Sequence, residues 1–512
     1  MKLQLFFDKS IRIIGSLLFL WIVILLVGFE NIIEYSNKRE QAFPNIIIII
    51  VFALVTIAIM IIKKKKDIVL RDKNYDKPVK VFLVVFFIMQ VIIFYNIYFE
   101  TGWDSFAVSN AAREIAYNNE LALPSITYLS QCPNNILITL FYTFILKLNL
   151  ILGLFKIDYD LMSIIVINCL ISSYTSYLIY KIGKKLFNNI IAFIGYLVSV
   201  VLLVFSPWNA ICYSDALALF LPVLMISLYI DKKTKYYIKY PLLVFFGYMT
   251  YLLKPQSAII FIAILIVEVI RRIPKINAES VKKGAIIFAI SLVPIVLLIL
   301  SFNGFITFNK IELDKEKELG ITHYLMVGAN KESNGAFSYG DAVVSKSIET
   351  KEERTKKNIE LFFDRMNEYG IGGYSLLLCK KLLTLYNDGT FAWGYEGDFF
   401  WRSPENNSFL SKLFKGLYHE SDFIITSFVF QIIWMFCIMS VFINLIVNTI
   451  KNKAKIDYLY LILITTIIGL TIFELIFEVR ARYLYSSVPI YIILTMYAIY
   501  NKWGLLDGNG HN

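Results

Sequence analysis

Residues 422–448 read DFIITSFVFQIIWMFCIMSVFINLIVN and contain one charged side chain, Asp422. A helix needs about 20 predominantly apolar residues to cross a bilayer, so this stretch alone predicts a membrane span. The rest of the chain has the same character, since 58% of its 512 residues are hydrophobic and 17% are charged. Soluble domains carry about 25% charged residues. The composition therefore excludes a soluble enzyme, a secreted disulfide scaffold and a disordered chain.

The apolar runs predict an all-α polytopic membrane protein of about 12 transmembrane helices. The predicted spans are 11–29, 44–62, 81–99, 161–180, 188–205, 216–230, 238–253, 257–271, 282–300, 422–448, 457–477 and 484–501. The stretch 133–156 is less apolar and contains Pro133 and Lys147. We predict that it is a re-entrant or interfacial helix, because a full crossing would place the lysines after residue 180 outside the cell.

The net charge of +11 is concentrated in short loops between apolar runs, which is typical of cytoplasmic loops and not of a nucleic-acid interface. The basic clusters are Lys63–Lys66, Lys181 with Lys184 and Lys185, Lys232 with Lys233 and Lys235, Arg271 with Arg272, and Lys451 with Lys453 and Lys455. They predict a multi-pass membrane protein with both termini in the cytoplasm. Lys9 and Arg12 before an apolar run predict an uncleaved signal-anchor.

The same assignment divides the chain into three parts. Residues 1–300 form an N-terminal transmembrane module whose first external loop is 100–132. Residues 301–421 form a large extracellular loop region of mixed charge, in which 371–387 is predicted to be an amphipathic interfacial helix. Residues 422–512 carry the last transmembrane helices. With this topology, unusual polar side chains collect on the outer face.

Two acids open predicted helices on that face. Asp104 begins the helix of the first external loop, and Asp215 begins a returning span after Pro207. Each position suits an N-cap, whose carboxylate accepts hydrogen bonds from the first helical amides. The alternative for Asp104 is a catalytic base, since a carboxylate can take a proton from an attacking hydroxyl or amine. Asp215 is the second acid.

Cations also occur on the outer face, against the positive-inside trend. Lys254 lies at an external turn, where it either snorkels to lipid headgroups or pairs with an anionic ligand. Arg480, Arg482 and Tyr483 close the eleventh span. Glu474 lies within that span, where an ionisable residue is costly and points to function. We predict that Glu474, Glu478 and Arg482 share a helix face, as an ion-pair staple or as a phosphate clamp.

The external region contains a third group of candidates. His323 and Asn330 flank a stretch with Gly328, which suits a loop folded over a substrate, although a lone histidine is more often structural. The aromatic stretch from Trp393 to Trp401 suits interface anchoring or sugar stacking. The chain has five cysteines, and no spacing indicates zinc or disulfides.

These pieces together resemble the GT-C superfamily of polytopic glycosyltransferases. This superfamily includes protein O-mannosyltransferases and the aminoarabinose transferases of lipid A, and the nearest resemblance is to its Gram-positive members. The matching pieces are Asp104, Tyr213-Ser214-Asp215, Lys254, His323 to Asn330, and Glu478 to Tyr483. They extend from about residue 100 to 490, and their order and common outer location carry the resemblance.

The resemblance implies an inverting transfer of a sugar from a polyprenyl-phosphate donor, undecaprenyl phosphate in a bacterium, on the extracytoplasmic face. Asp104 would be the base. Lys254, Arg480, Arg482 and Tyr483 would hold the carrier phosphate, and His323, Asn330 and Glu478 would contact substrate. The first loop has one aspartate where the family often has an acidic pair, so the divalent-metal requirement stays open. The acceptor is a glycan, a wall polymer, a lipid or a protein.

Two other functions remain. A flippase or other transporter of lipid-linked oligosaccharides would place polar residues near the bilayer midplane. A polysaccharide polymerase or ligase would share the outer arginines. A transferase requires Asp104, Asp215, Lys254 and Arg482 to converge, and a transporter does not.

Overall fold

The computed structural model describes residues 2–29, 45–54, 73–275, 277–308, 311–394, 399–420, 422–450 and 456–503. All regular elements within these ranges are helices, and an isolated antiparallel bridge joins Glu100 to Arg402. The all-α prediction is therefore confirmed. The basic clusters Lys63–Lys66 and Lys451–Lys455 lie outside the described residues.

Eight described helices are long and apolar enough to cross a membrane. They are Lys2–Gly28, Asp76–Asn96, Pro133–Leu152, Ile157–Leu186, Ala278–Phe308, Phe423–Ile450, Tyr458–Ile476 and Ala481–Asn501. Each is a long run of apolar side chains whose backbone polar groups are satisfied within the helix, as a bilayer requires. The chain is thus built as a multi-pass membrane protein.

The predicted number of 12 spans is not reached by these criteria. Seven of the eight helices correspond to predicted spans, and the eighth is Pro133–Leu152, which the sequence led us to place at the interface. Its 20 residues have the length and composition of a crossing. The polar residues Asn134 and Asn135 lie in the first turn, at the end of the helix, and Lys147 is its single charged residue. The re-entrant assignment therefore stays a prediction.

The other predicted spans are shorter or more polar helices. They are Asn45–Leu54, Asn189–Val204, Ser214–Ile230, Tyr236–Leu253 and Ile259–Arg272. Pro207 and Pro255 begin short 3₁₀ turns between them, because proline provides no backbone donor to continue the preceding helix. These proline turns bring Asp215 and Lys254 to helix ends, where their side chains can meet.

The first external loop is helical throughout much of its length. Its helices are Asp104–Arg113, the π-helical turn Glu114–Asn118 and Leu123–Gln131. The first of these, Asp104–Arg113, is called the loop helix below. Further short 3₁₀ turns cover Pro133–Asn135 and Ile157–Tyr159.

The region 301–421 is also helical. Ala278–Phe308 runs beyond the predicted boundary at residue 300. The helices that follow are Gly320–Gly328, Tyr339–Ser347, Lys351–Tyr386 and Phe409–His419. Lys351–Tyr386, called the external helix below, bends at Gly370, whose φ of 58° is unfavourable for other residues. Its second half contains the predicted interfacial helix 371–387.

Burial differs strongly between spans. In Ala481–Asn501, 89% of the most apolar window is buried inside the protein, against 6% in Ala278–Phe308. The first is therefore a central element, and the second lies at the periphery. Because Arg482 is in the first turn of the central helix, its position is fixed by the core of the protein.

Candidate functional site

Asp215, Lys254 and Arg482 converge at the proline turns. The Lys254 ammonium donates to Oδ1 of Asp215, and Nη1 of Arg482 lies 3.4 Å from Oδ2 of the same carboxylate. All three side chains are buried, with 4% of Lys254 exposed. Lys254 therefore does not snorkel to lipid. Two cations thus share one buried carboxylate at this point of the fold. We call these three residues the cation cluster.

Three aromatic rings surround the Arg482 guanidinium. Its central carbon lies 4.4 Å from the centroid of Trp103, 5.4 Å from that of Tyr213 and 5.5 Å from that of Tyr483. Such rings attract a guanidinium through their quadrupole and restrict its orientation. Nε1 of Trp103 is buried and has no hydrogen-bond partner among the described residues. This indole is a donor that a ligand beside Arg482 could use.

Asp104 is the first residue of the loop helix, and Trp103 occupies the N-cap position without a side-chain cap. The N-cap reading of Asp104 is therefore wrong. The same holds for Asp215, which lies inside a short helix with Tyr213 at its N-cap. The Asp215 carboxylate instead contacts Lys254 and Arg482.

The electrostatic environment of Asp104 is mixed. Burial raises its pKa above the usual range for an aspartate, while the positive charge of Arg482 and a hydrogen bond from Tyr128 act in the opposite direction. Tyr128 is itself held in place, because its hydroxyl accepts a hydrogen bond of 2.6 Å from Nδ2 of Asn135. Tyr213 donates to Oδ1 of Asn135 at 3.3 Å. This chain of hydrogen bonds connects Asp104 with the rings around Arg482.

The segment after Ile476 is not helical as predicted. The span Tyr458–Ile476 ends there, and Phe477 is extended. The amide of Glu478 donates to the carbonyl of Tyr324, and that of Val479 donates to the carbonyl of Gly335. A shared helix face for Glu474, Glu478 and Arg482 is therefore wrong, because backbone contacts with the external region replace the helical hydrogen bonds.

In this extended segment, Glu478 interacts with its near neighbours. Nε of Arg480 lies 3.1 Å from Oε1 of Glu478, and the Tyr483 hydroxyl donates to the same oxygen at 3.2 Å. Arg480 also lies over the ring of Phe337, at 5.7 Å from its centroid. The structure thus places Arg480 and Tyr483 beside Glu478, while Arg482 belongs to the cation cluster.

Lys381 of the external helix holds the extended segment in place through hydrogen bonds to backbone carbonyls. Its ammonium is fully buried and donates to the carbonyls of Gly328, Leu475 and Phe477 at 2.9, 2.8 and 2.7 Å. Gly328 permits this arrangement, since a Cβ there would lie 2.5 Å from the carbonyl carbon of Phe477. Lys381 was not predicted as a site residue, because within 371–387 a lysine is typical of the polar face of an interfacial helix.

Glu474 is fully buried in the span, and neither carboxylate oxygen has a hydrogen-bond partner among the described residues. The charges that act on it most strongly are those of Lys254 and Lys381. Glu474 therefore lies between the cation cluster and the Lys381 contact. Because it is fully buried, its side chain does not face lipid.

His323 and Asn330 lie outside the cation cluster. His323 is buried in the helix Gly320–Gly328, and its Nδ1 shares a hydrogen bond of 2.8 Å with Ser345. Burial lowers the pKa of His323 to about 4. Nδ2 of Asn330 donates to Asp341 at 2.9 Å. These contacts are internal to the external region, so the prediction of a loop from 323 to 330 is wrong over its helical part.

Residues 395–398 of the aromatic stretch lie outside the described residues, and Trp393 and Phe399 on either side of them belong to the core. Trp393 is fully buried and packs against Trp208 and Phe399. Interface anchoring and sugar stacking are therefore both wrong for Trp393, because its ring faces neither lipid nor solvent. Trp401 is 42% exposed and packs edge-on against Phe106 of the loop helix.

The structure thus brings together Asp215, Lys254 and Arg482 by direct contact, and Asp104 directly follows Trp103, whose ring lies 4.4 Å from Arg482. Glu478, Arg480 and Tyr483 form the adjacent group. Among the described residues, no group of three or more His, Cys, Asp or Glu side chains could hold a metal ion. Tyr483 was predicted as a site residue, whereas Trp103 beside Arg482 and the Tyr128 hydrogen bond were not.

Comparison with known proteins gives the family. A family model described as "Conserved hypothetical integral membrane protein" matches residues 4–503. The chain belongs to this family. Searches of curated proteins and of solved structures gave no match. The family assignment agrees with the eight candidate spans and supports an integral membrane protein.

Proposed function

We propose that the protein is an inverting glycosyltransferase that moves a sugar from a polyprenyl-phosphate donor to an acceptor on the extracytoplasmic face. The observation that carries the proposal is the cation cluster, in which Lys254 and Arg482 meet at Asp215 beside the loop that carries Asp104. A polyprenyl-phosphate sugar is a phosphodiester with one negative charge. Lys254 and Arg482 are the two cations that would contact this phosphate.

In the proposed reaction, an acceptor hydroxyl attacks the anomeric carbon opposite the phosphate. The bond between that carbon and the phosphate oxygen breaks, and the polyprenyl phosphate leaves with the electron pair. Asp104 takes the hydroxyl proton, for which a carboxylate of raised pKa is better suited than an ordinary one. Arg482 and Lys254 stabilise the negative charge that grows on the phosphate.

The aromatic rings support the role of Arg482. Trp103, Tyr213 and Tyr483 hold the guanidinium in one orientation before the donor arrives. A cation that is already oriented does not need to reorganise as charge develops, which is the main advantage of an enzyme site over water. Tyr483 also lies 5.5 Å from the Lys254 ammonium, measured to its ring centroid. One ring thus contacts both cations.

The test is transfer of a radiolabelled sugar from polyprenyl-phosphate donors by purified full-length protein in nanodiscs. We expect wild type to transfer the sugar. The transfer rate of Asp104→Asn should be at least 100-fold lower, while donor binding persists. Glu120→Gln is the matched control, since Glu120 is an exposed acid of the same loop. Equal transfer by wild type and Asp104→Asn would remove Asp104 from the mechanism.

Transport is the second candidate, and Glu474 is the observation that favours it. A buried carboxylate in a span without a hydrogen-bond partner among the described residues resembles the ionisable groups of proton-coupled transporters. Movement of lipid-linked sugar across vesicles, abolished by Glu474→Gln in the absence of any sugar transfer, would support this function over the enzyme. A polymerase would instead extend the acceptor by repeated addition.

A further inference from the structure

An open cleft of about 740 Å³ lies at the far end of the loop helix from Asp104. Its wall is formed by Tyr98, Arg113, Tyr117 and the turn Ile157–Tyr159, together with residues 402–405. Asp104 and Arg113 are the first and last residues of the ten-residue loop helix. At 1.5 Å per residue, the cleft begins about 14 Å along this helix from Asp104.

The hydroxyl of Tyr98 identifies the cleft as more than a packing defect. Tyr98 is 3% exposed, and its hydroxyl has no hydrogen-bond partner among the described residues. A buried polar group without a partner costs free energy, and such groups are rare unless a ligand or water completes them. The residue lines the cleft, so a ligand there is placed to accept or donate this missing hydrogen bond.

The charges of the cleft do not favour an anion. Arg113 is held by two carboxylates, since its Nη2 lies 2.7 Å from Glu100 and 2.5 Å from Asp160. The guanidinium of Arg402 lies over the ring of Trp401, at 4.0 Å from its centroid. Asp158 and Glu405 also line the cleft and have no ion-pair partner among the described residues. An anionic ligand in the cleft would therefore face more carboxylates than cations that lack a described ion-pair partner.

The aromatic surface favours a ligand with flat apolar faces and many hydroxyls. Tyr98 and Tyr159 pack with ring centroids 5.0 Å apart, and both contribute to the lining. Carboxylates accept hydrogen bonds from hydroxyl groups, and tyrosine rings combine an apolar face with a polar tip. A neutral sugar chain presents both kinds of surface.

We propose that this cleft binds a neutral, hydroxyl-rich segment of the acceptor glycan. The assignment of this glycan as the acceptor rests on the proposed function. The binding of a neutral sugar chain in the cleft does not depend on it. The loop helix would then connect the two sites, with the glycan held at its Arg113 end and the reacting hydroxyl at its Asp104 end.

The experiment is calorimetric titration of purified full-length protein in nanodiscs with neutral trisaccharides of glucose, of galactose and of N-acetylglucosamine. We expect saturable binding of at least one of them. Tyr98→Phe removes only the hydroxyl and should weaken binding about five- to tenfold, the effect of one hydrogen bond. Its melting temperature should not fall, since the hydroxyl has no described partner to lose.

Tyr95→Phe is the matched control. Tyr95 stacks on Tyr159 with ring centroids 5.2 Å apart but does not line the cleft. The trisaccharide affinity of Tyr95→Phe should therefore stay within about twofold of wild type. The proposal is overturned if no trisaccharide binds, if Tyr98→Phe binds as well as wild type, or if inorganic polyphosphate binds more tightly than the sugars.

The two proposals fail in distinguishable ways. Asp104→Asn should keep trisaccharide binding while it loses transfer. Trisaccharide binding by a wild-type protein that transfers nothing would leave the cleft assignment standing and reject the enzyme. Active transfer, combined with an acceptor KM that Tyr98→Phe does not change, would reject the cleft and leave the enzyme standing.

Discussion

Two arginines near the loop helix, Arg113 and Arg482, are held in different ways. Arg113 is bound through several nitrogens by Glu100 and Asp160, at distances from 2.5 to 3.1 Å. The ion pair described for Arg482 is a 3.4 Å contact with Asp215, and its guanidinium lies among aromatic rings. The first arrangement compensates the charge within the protein. The second holds the guanidinium between aromatic rings, as the proposed function requires of a cation that contacts the carrier phosphate.

The largest effect expected from this comparison is on stability. Arg113→Met would leave Glu100 and the buried Asp160 without their cation, so the free energy of unfolding should fall by about 3–5 kcal/mol. Denaturant titration in detergent micelles measures this change. Lys331→Met, which removes an exposed ion pair with Glu368, should cost less than about 1 kcal/mol. Equal losses in the two variants would contradict the structural role.

The next effect is on transfer. Arg482→Lys keeps the charge but loses the planar fork, so kcat/KM for sugar transfer should fall about 100-fold, while stability changes little. The fall in kcat/KM should be smaller for Arg480→Lys, since Arg480 is paired with Glu478 outside the cation cluster. Steady-state kinetics with the labelled donor compares the two. A greater loss in Arg480→Lys would move the phosphate site to the extended segment.

The pH profile sharpens the comparison further. Because burial raises the pKa of Asp104 and a base acts when ionised, kcat/KM should rise with pH through that raised pKa and fall about tenfold per pH unit below it. Arg482 lowers this pKa, so Arg482→Gln should shift the acid limb to higher pH. An acid limb at the same pH in Arg482→Gln and wild type would show that Asp104 is not the titrating group.

The smallest expected effect concerns the rings. Trp103→Phe removes the indole donor and weakens the contact with Arg482, so the affinity for polyprenyl phosphate should fall about three- to tenfold. Fluorescence-detected titration with the lipid in nanodiscs measures the dissociation constant. Phe106→Leu is the control on the same helix, because Phe106 packs against Trp401 and not against Arg482. Unchanged affinity in Trp103→Phe would exclude a ligand contact there.

The sequence was sufficient for the helical class and for most span positions, because long apolar runs dominate both. It also identified Asp215, Lys254 and Arg482 as unusual, since charges near apolar runs need partners. It could not predict that these three side chains contact one another. Their meeting depends on where Pro207 and Pro255 end the short helices and on how those helices pack.

The error at Glu478 has a different cause. The sequence from Phe473 to Tyr483 contains neither glycine nor proline, so local signals favour continued helix. The helix nevertheless ends at Ile476, because the external region provides backbone acceptors at Tyr324 and Gly335. These residues are more than 140 positions away in the sequence, and only the tertiary structure brings them near.

The buried ammonium of Lys381 also has a mechanical consequence. It connects the external helix to the carbonyls that flank Phe477, five residues before Arg482. A force on the second half of that helix is therefore transmitted to the segment that leads into the cation cluster. An antibody fragment bound between residues 371 and 376 that displaced this half of the helix would therefore disturb the segment before Arg482 without covering the cation cluster. The external helix thus offers a point of contact through which the cluster can be altered at a distance.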